Sequence, residues 1–534
     1  MERKKSGSKV IGIVIVVIIV LYVLIRFAGS SIGELFNGSR TFNLLAASST
    51  SPYKEELEKF AEEQNIYLNI EYMDDMEIVE TLNDDSSNYD AVWMSNSMWT
   101  YMLDNPYLVE NSKSIAIDPV VIGIRKSKAE KLNFVGKNVY NKDILNAIKS
   151  GNLKYVMTSP LSTNTGATGY LAFLNSIAGS PEVLTEDMLD SQTLKSNMKA
   201  FFSGVTRTSG DEGYLEDMFV NGDYEAVISF ESTLININKS LEKNNKEPLY
   251  LIYPKDGVAL NDMPFAYVEN DQKKEDKFEL IQKFLRSSDT MKKLESKGFR
   301  TWYGGVNKNA DSSVFKSSWG INTNEYLVAQ KFPSKKVMEK AFDLYIEEFR
   351  RPGHFVFCLD KSGSMAGEGM NDLKDAMNYI LTKEEASKAR VQFSSKDIIT
   401  VITFDAYTRD ITVNYKGDNT QSLIDYLNYR LYAEGGTNIY SPTAEALKIL
   451  DKTDDSYTKT VILMTDGESN NGGLYEITDY LRSSEKAKNI PVYAITFGEA
   501  SERQLSEITS LTNGKIFDGK SGLKKAFKEV RSYS

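Results

Sequence analysis

Asp360, Ser362 and Ser364 stand at alternate positions where an apolar run, His354-Phe-Val-Phe-Cys-Leu-Asp360, breaks into Asp360-Lys-Ser362-Gly-Ser364. One carboxylate and two hydroxyls in that spacing are hard oxygen donors, which suit Mg²⁺, Mn²⁺ or Ca²⁺ and not zinc. An open α/β sheet presents its ligands just beyond the carboxyl ends of its strands, which is where these three fall. Two later segments add donors. Glu434-Gly-Gly-Thr437-Asn-Ile is a glycine-freed loop presenting one threonine, and Thr460-Val-Ile-Leu-Met-Thr465-Asp466-Gly467 is a second apolar strand ending in Asp-Gly. Taken alone, Asp-x-Ser-Gly-Ser also reads as a capped turn before a helix, because Ser and Asp are favoured N-caps. Three such segments in order, each after a β-like run, favour a metal site over the turn.

The order and chemistry of these segments resemble the von Willebrand factor type A family. In that family Asp-x-Ser-x-Ser, then Thr, then Asp form the metal-ion-dependent adhesion site, and the matching positions are Asp360, Ser362, Ser364, Thr437 and Asp466. The resemblance implies a divalent metal, Mg²⁺ with Mn²⁺ or Ca²⁺ as substitutes, held by the hydroxyls, with the aspartates acting directly or through water. It also implies that a partner protein supplies an acidic side chain as the last ligand.

The elements that must position these donors follow an α/β alternation. Apolar runs at Asp397–Asp405, Thr460–Asp466 and Ile490–Gly498 alternate with amphipathic stretches at Asp372–Leu381, Pro442–Leu450 and Ser501–Ser510. That pattern predicts a doubly wound, Rossmann-like domain over residues 353–534, with a parallel sheet covered on both faces. The single cysteine, Cys358, lies inside the first strand and reads as a buried structural thiol. Gly514-Lys-Ile-Phe-Asp-Gly519-Lys520-Ser521 satisfies a phosphate-loop pattern, but a working loop needs a strand before its first glycine. Here the preceding stretch is helical and Lys515–Asp518 reads as the last short strand, so nucleotide binding is dismissed.

Residues 40–303 carry a second α/β rhythm. Strand signals at Thr41–Ala47, Ile66–Met73, Tyr89–Ser97, Ser114–Ile124, Tyr155–Thr158, Tyr224–Phe230 and Pro264–Val268 are interleaved with helical stretches at Pro52–Gln64, from Met76, and over Lys277–Lys297. The stretch is similar to the extracellular solute-binding proteins of bacterial ABC importers, the two-lobed periplasmic-binding-protein kind with crossing hinge strands. That resemblance rests on segment order and implies a small ligand held between lobes by hydroxyls and helix N-termini. The candidates are Ser48, Ser49, Thr50, Ser95, Asn96, Ser162, Thr163, Thr165, Gly166, Glu231 and Tyr267, each with an N-cap or turn role as its alternative. Asn164-Thr-Gly-Ala-Thr-Gly opens a helix and could cradle a small anion, yet the lobe lacks an obvious arginine nearby. Residues 304–352 read as a linker containing a helix over Ser334–Arg350, with Ser334 as its cap.

At the N-terminus, Val10–Ile25 is apolar throughout and follows Arg3, Lys4, Lys5 and Lys9. Together with Phe27 and Ala28 it approaches the roughly 20 residues a bilayer-spanning helix needs, and the basic flank predicts a cytoplasmic tail over 1–9 with a signal anchor over 10–29. The bulk of the chain is then extracytoplasmic, single-pass at the cell membrane. With one cysteine in 534 residues it must be stable without internal disulfides. The net charge of -11 argues against nucleic acid as a partner, a single histidine removes most catalytic and zinc chemistry, and the composition hints at a Gram-positive bacterium. The chain resembles the bacterial proteins described as substrate-binding and von Willebrand factor A domain proteins. Adhesion or assembly through the metal site, solute capture for a transport system, and metal-assisted catalysis are the competing functions, and the absence of a nucleophile with a paired base puts catalysis last.

Overall fold

The computed structural model describes residues 40–269, 274–496, 502–520 and 522–533. The basic tail and the expected membrane anchor over 1–29 lie outside the described residues. Among the described residues no helix is long and apolar enough to cross a membrane.

The chain divides into two compact units, one built from residues through Ile115 and Asp262–Leu294, the other from Ala116–Asn261 and Glu295 onward. In chain order the strands of the N-terminal half are β1 (Thr41–Ala47), β2 (Tyr67–Met73), β3 (Ala91–Trp93), β4 (Val109–Ser114), β5 (Ala116–Arg125) and β6 (Tyr155–Thr158). They continue as β7 (Val205–Ser209), β8 (Ala226–Phe230), β9 (Leu249–Ile252), β10 (Leu260–Asn261), β11 (Pro264–Val268) and β12 (Arg300–Thr301).

The first unit holds a five-stranded sheet in the order β2-β1-β3-β11-β4. Strands β1, β2 and β3 run parallel, and β11 returns antiparallel to β3 and β4. Four of the last five residues of β1, Leu44–Ala47, are hydrophobic and buried, as a strand covered on both faces requires. The run Ser114–Ile124, which reads as one extended segment, belongs to two strands of two units. It divides at Ile115, whose amide donates to the carbonyls of Asp262 and Met263. The helical stretch Lys277–Lys297 is likewise two helices, Glu275–Leu285 and Ser288–Ser296. The Ser287 hydroxyl accepts from the Thr290 amide at 3.3 Å and starts the second.

In the second unit, β10-β5-β8-β6-β7 form a sheet to which β9 and β12 add through β5. The stretch Ser334–Arg350 is helical as expected, over Lys335–Leu344, and then widens into a π-turn over Tyr345–Phe349. Ser334 occupies the N-cap position, but its side chain makes no capping hydrogen bond. This element docks: the Tyr170 hydroxyl donates to the Ala341 carbonyl at 2.7 Å, and Glu348 pairs with Lys195 at 2.7 Å.

The C-terminal strands are β13 (Gly353–Asp360), β14 (Ile398–Phe404), β15 (Thr408–Lys416), β16 (Thr458–Thr465), β17 (Val492–Thr496) and β18 (Ile516–Asp518). They form one sheet in the order β15-β14-β13-β16-β17-β18. Side-chain alternation in β13 assigns its two faces: Phe355, Phe357 and Leu359 enter one hydrophobic core with Leu373 and Phe527, while Val356 and Cys358 enter the other with Leu447 and Leu463. Cys358 is fully buried, and its burial pushes the thiol well above its ordinary range. The sheet is parallel except for β15, an antiparallel edge strand that sequence periodicity did not isolate. Its pattern is polar because one side faces solvent, and Ile411 is 41% exposed. Strand β18 occupies the middle of the glycine-bounded phosphate-loop pattern, where a bare loop would have to be.

Candidate metal centre and the lobe hydroxyls

Strands β13 and β16 are adjacent and in register, with Leu359 opposite Met464, so Asp360 at the end of β13 and Asp466 just after β16 are delivered side by side. Asp360 is fully buried. One of its oxygens accepts from the Ser362 amide at 2.7 Å, and the other accepts from the Thr465 hydroxyl at 2.6 Å. From there a chain of oxygens runs outward, with Ser362 Oγ 3.0 Å from Ser364 Oγ and Ser364 Oγ donating to Asp466 Oδ1 at 2.9 Å. Ser364 is exposed, so the cluster opens to solvent.

Backbone bonds fix the threonine loop to both neighbours. The Lys361 carbonyl accepts from the Glu434 amide at 2.8 Å, and the Gly435 carbonyl accepts from the Gly363 amide at 3.0 Å. The Thr437 carbonyl accepts from the amides of Asn470 and Asn471, each at 3.1 Å. Gly435 takes φ +77, a left-handed conformation that favours glycine. A Cβ placed on Gly467 would meet Ser364 Oγ at 3.1 Å and Thr437 Oγ1 at 3.8 Å. The five donors expected from sequence are therefore brought to one place. Among the described residues no group of three or more His, Cys, Asp or Glu converges in a metal-binding arrangement. The cluster is instead hydroxyl-rich, with two carboxylates.

Electrostatics fits a cation. Burial pushes Asp360 up to about 6, and the nearby Asp466 charge adds to that; burial also raises Asp466. The cation next in sequence, Lys361, does not neutralise them, because its ammonium pairs with Glu434 at 2.8 Å and lies over the Tyr432 ring. Sequence reasoning missed Thr465, which orients Asp360. It also missed Asp405 at the end of β14, which accepts from the Tyr407 amide at 3.0 Å and from Arg409 at 2.6 Å. The legible signal for both was position: each stands at the carboxyl end of a strand, as Asp360 does.

The lobe candidates behave differently. In the first unit Ser48 is exposed, Ser49 Oγ lies 2.6 Å from Ser95 Oγ, and Thr50 donates to the Ala47 carbonyl at 2.8 Å. Ser95 donates through its amide at 2.7 Å and its hydroxyl at 2.6 Å to the buried carboxylate of Asp75, which burial pushes up to about 6. Asn96 caps the following turn, its side chain accepting from the Met98 amide at 2.7 Å. Ser97 bonds Asp262 in the same way through its amide at 2.8 Å and its hydroxyl. Tyr267 is 2% exposed and its hydroxyl accepts from the Lys274 amide at 3.1 Å. It is packed inside the unit against Phe278, so its ligand role is corrected to a core role.

In the second unit, Thr163 caps helix Asn164–Ile177 by accepting from the Gly166 amide at 3.0 Å and donates to Thr158 at 2.7 Å. A Cβ on Gly166 would strike the Ser159 carbonyl oxygen at 2.3 Å. The glycine thus serves close helix–strand packing, and the expected anion cradle is closed by the chain itself. Thr165 is almost fully buried beside Glu212, while the buried Ser162 hydroxyl has no hydrogen-bond partner among the described residues. Glu231 is not a free ligand either: it accepts from Arg300 at 2.7 and 2.8 Å, with both side chains 0% exposed, and from the Tyr253 hydroxyl. Sequence spacing could not reveal that partner, 69 residues away.

With this geometry in place, comparison with known proteins is informative about the families. Residues 42–300 match the family model described as bacterial extracellular solute-binding protein, and residues 355–528 match the von Willebrand factor type A domain. A VWFA domain-containing protein of Acidianus two-tailed virus is 30% identical over 197 residues, covering 34% of this chain and 20% of the viral protein. The chain thus spans about a fifth of that relative's length. An uncharacterized protein of Methanocaldococcus jannaschii is 26% identical over 331 residues, covering 60% of this chain and 79% of that protein. Among solved structures, the periplasmic binding protein AfuA from Actinobacillus pleuropneumoniae, with fructose-6-phosphate bound, aligns at TM-score 0.44 and 12% identity, over 58% of this chain and 99% of that one.

Proposed function

We propose that this protein, a solute-binding-protein domain followed by a von Willebrand factor type A domain, is a membrane-anchored extracytoplasmic binding protein of a Gram-positive bacterium. Its C-terminal domain takes an acidic side chain of a partner protein on a divalent metal. The observation that carries this reading is the convergence of Asp360, Ser362, Ser364, Thr437 and Asp466 at adjacent strand ends. When bound, Mg²⁺ or Mn²⁺ would supply Lewis acidity toward an incoming carboxylate. The protein's own part is to hold the donors: Thr465 and the Ser362 amide fix Asp360, Ser364 bridges toward Asp466, and Lys361 is kept on Glu434. Two carboxylates leave a divalent cation only just neutralised, so an external carboxylate gains charge-assisted coordination.

The test is calorimetric titration of Mn²⁺ into the full chain in neutral detergent. One site per chain, lost in Asp360→Ala, is expected; equal binding by both proteins would sink the assignment. The anchor is tested separately. Protease added to wall-free cells should remove the domains and leave an N-terminal membrane fragment, and recovery of the full chain in the cytosol would refute it.

A second reading, solute capture or sensing beside an ABC-type transporter, is favoured by the family match over residues 42–300. A ligand binding only the folded lobes stabilises them by about 2.7 kcal/mol at 100-fold excess over Kd. A thermal-shift screen of sugars, amino acids, peptides and oxyanions that moves nothing would leave the lobes as a protein-interaction scaffold.

A further inference from the structure

At the opposite end of the C-terminal sheet from the metal donors lies a cavity of about 440 Å³. Its walls come from the segments that lead into strands: Lys154 before β6, Ser203 and Thr206 around the start of β7, Arg350–Pro352 before β13, Lys396 before β14, and Asp455 and Ser456 before β16. Asp360 closes the other end of β13, and Asp466 follows the other end of β16. Seven residue steps along β13 put roughly 23 Å between the cavity and the metal donors, so the two sites are distinct.

The cavity is strongly cationic. Lys154, Lys199, Arg350, Arg351 and Lys396 line it, against the carboxylates of Glu348 and Asp455 alone. Both carboxylates are already satisfied by lysines. Glu348 pairs with Lys195 at 2.7 Å and Lys199 at 3.0 Å, and Asp455 pairs with Lys459 at 2.9 Å and Lys486 at 3.1 Å. Arg350 is held by the buried Asp397. Three cations are left without a carboxylate at ion-pair distance among the described residues. The Arg351 guanidinium donates only to carbonyls, those of Ser456 at 3.2 Å, Val205 at 3.3 Å, Tyr457 at 3.3 Å and Asp455. The Lys396 ammonium donates to the carbonyl of Glu347 at 3.0 Å, and Lys154 is exposed with no side-chain bond.

Unneutralised cations at one cavity repel one another, and folding alone does not explain why they are gathered there. Burial and the neighbouring Lys199 both work against the charged form of Lys396. A multiply charged oxyanion would remove that repulsion with charge-assisted hydrogen bonds, and a guanidinium flanked by ammonium groups suits phosphate oxygens. Lys154 and Lys199 come from the second lobe, Lys396 from the C-terminal domain, and Arg351 already bonds carbonyls of both. A phosphate bound there would bridge lobe and domain. We propose that this junction is a binding site for a phosphate-bearing anion of two or more negative charges.

The experiment titrates inorganic tripolyphosphate, and in parallel dihexanoyl phosphatidic acid, into the full chain in neutral detergent at low salt. One anion per chain is expected, weakened by added salt because the contacts are partly solvent-exposed. The double variant Lys154→Gln/Lys396→Gln should bind about tenfold more weakly or worse, since two charged contacts are lost. The control Lys336→Gln/Lys448→Gln, on lysines that do not line the cavity, should bind as the parent does. Saturation by tripolyphosphate assigns a free phosphate compound as the ligand class, and saturation by the lipid alone assigns a headgroup. Binding of neither, an unchanged affinity in the cavity variant, or an equal loss in the control would overturn the proposal. If the double variant melts early, Lys154→Glu alone serves, since that side chain is exposed and makes no bond among the described residues.

Discussion

The C-terminal oxygen-donor cluster and the lobes use the same residue types at the same kind of place, hydroxyls and carboxylates at the carboxyl ends of strands, with opposite results. Around Asp360 the hydroxyls of Ser362 and Ser364 line up toward a second carboxylate, and Ser364 opens the row to solvent. In the lobes three serine hydroxyls are each closed onto a buried carboxylate: Ser95 onto Asp75, Ser232 onto Asp118, Ser229 onto Glu212. The first arrangement leaves donors for something from outside. The second consumes them in holding strand ends and helix starts together. Two carboxylates sharing one hydroxyl row leave room for a cation; a single carboxylate supplied with two donors is already satisfied.

The sharpest way to break this contrast is at the lobe pair Glu231–Arg300. If Glu231 is structural, Arg300→Met strands a charge with 0% exposure and should cost about 3–5 kcal/mol, read by urea unfolding. A loss below about 1 kcal/mol would return Glu231 to the ligand candidates. Next in size, Asp360→Ala should weaken Mn²⁺ binding by about 100-fold or more, equivalent to about 2.7 kcal/mol, with little loss of fold, whereas the same truncation of Asp75 should leave metal binding intact. Metal binding that follows Asp75 would reverse the assignment.

The only histidine offers an internal gauge of the C-terminal domain. His354, buried between the hydroxyls of Thr453 and Thr400, is pushed down to about 4, chiefly by burial and further by Lys459. A base depressed in the folded state takes up its proton in the unfolded chain first. Stability is therefore full above the unfolded value near 6.5 and falls as pH drops toward 4. Between pH 7 and pH 5 the loss is about 2 kcal/mol, and His354→Gln should flatten that slope. Nuclear magnetic resonance of the single imidazole checks the titration directly, and a midpoint near 6.5 would contradict the burial. The smallest effect is expected for Ser49→Ala, which removes one partly exposed hydroxyl bond to Ser95 and should cost about 0.5–1.5 kcal/mol. A larger loss would mean that Ser49, too, is locked into the framework.

Sequence by itself determined the oxygen-donor cluster and the α/β order of the C-terminal domain. Asp360, Ser362 and Ser364 are local, their spacing is fixed by a strand end, and strand period 2 alone sorts Phe357 from Cys358 onto opposite faces. The two-lobed domain was legible in segment order and not in its site. The polar edge strand β15 escaped because solvent on one side blurs apolar periodicity, and the division of Ser114–Ile124 escaped because both halves are apolar. Tertiary structure alone decided which hydroxyls were free. The partners of Ser97 and Ser232 lie 165 and 114 residues away, and Arg300 reaches Glu231 across 69. It also decided the junction cavity, whose lysines and arginines are scattered from Lys154 to Lys396 and read singly as solvated surface charge. A local motif encodes its own geometry because a few backbone angles fix it, whereas charge crowding depends on which distant segments folding places face to face.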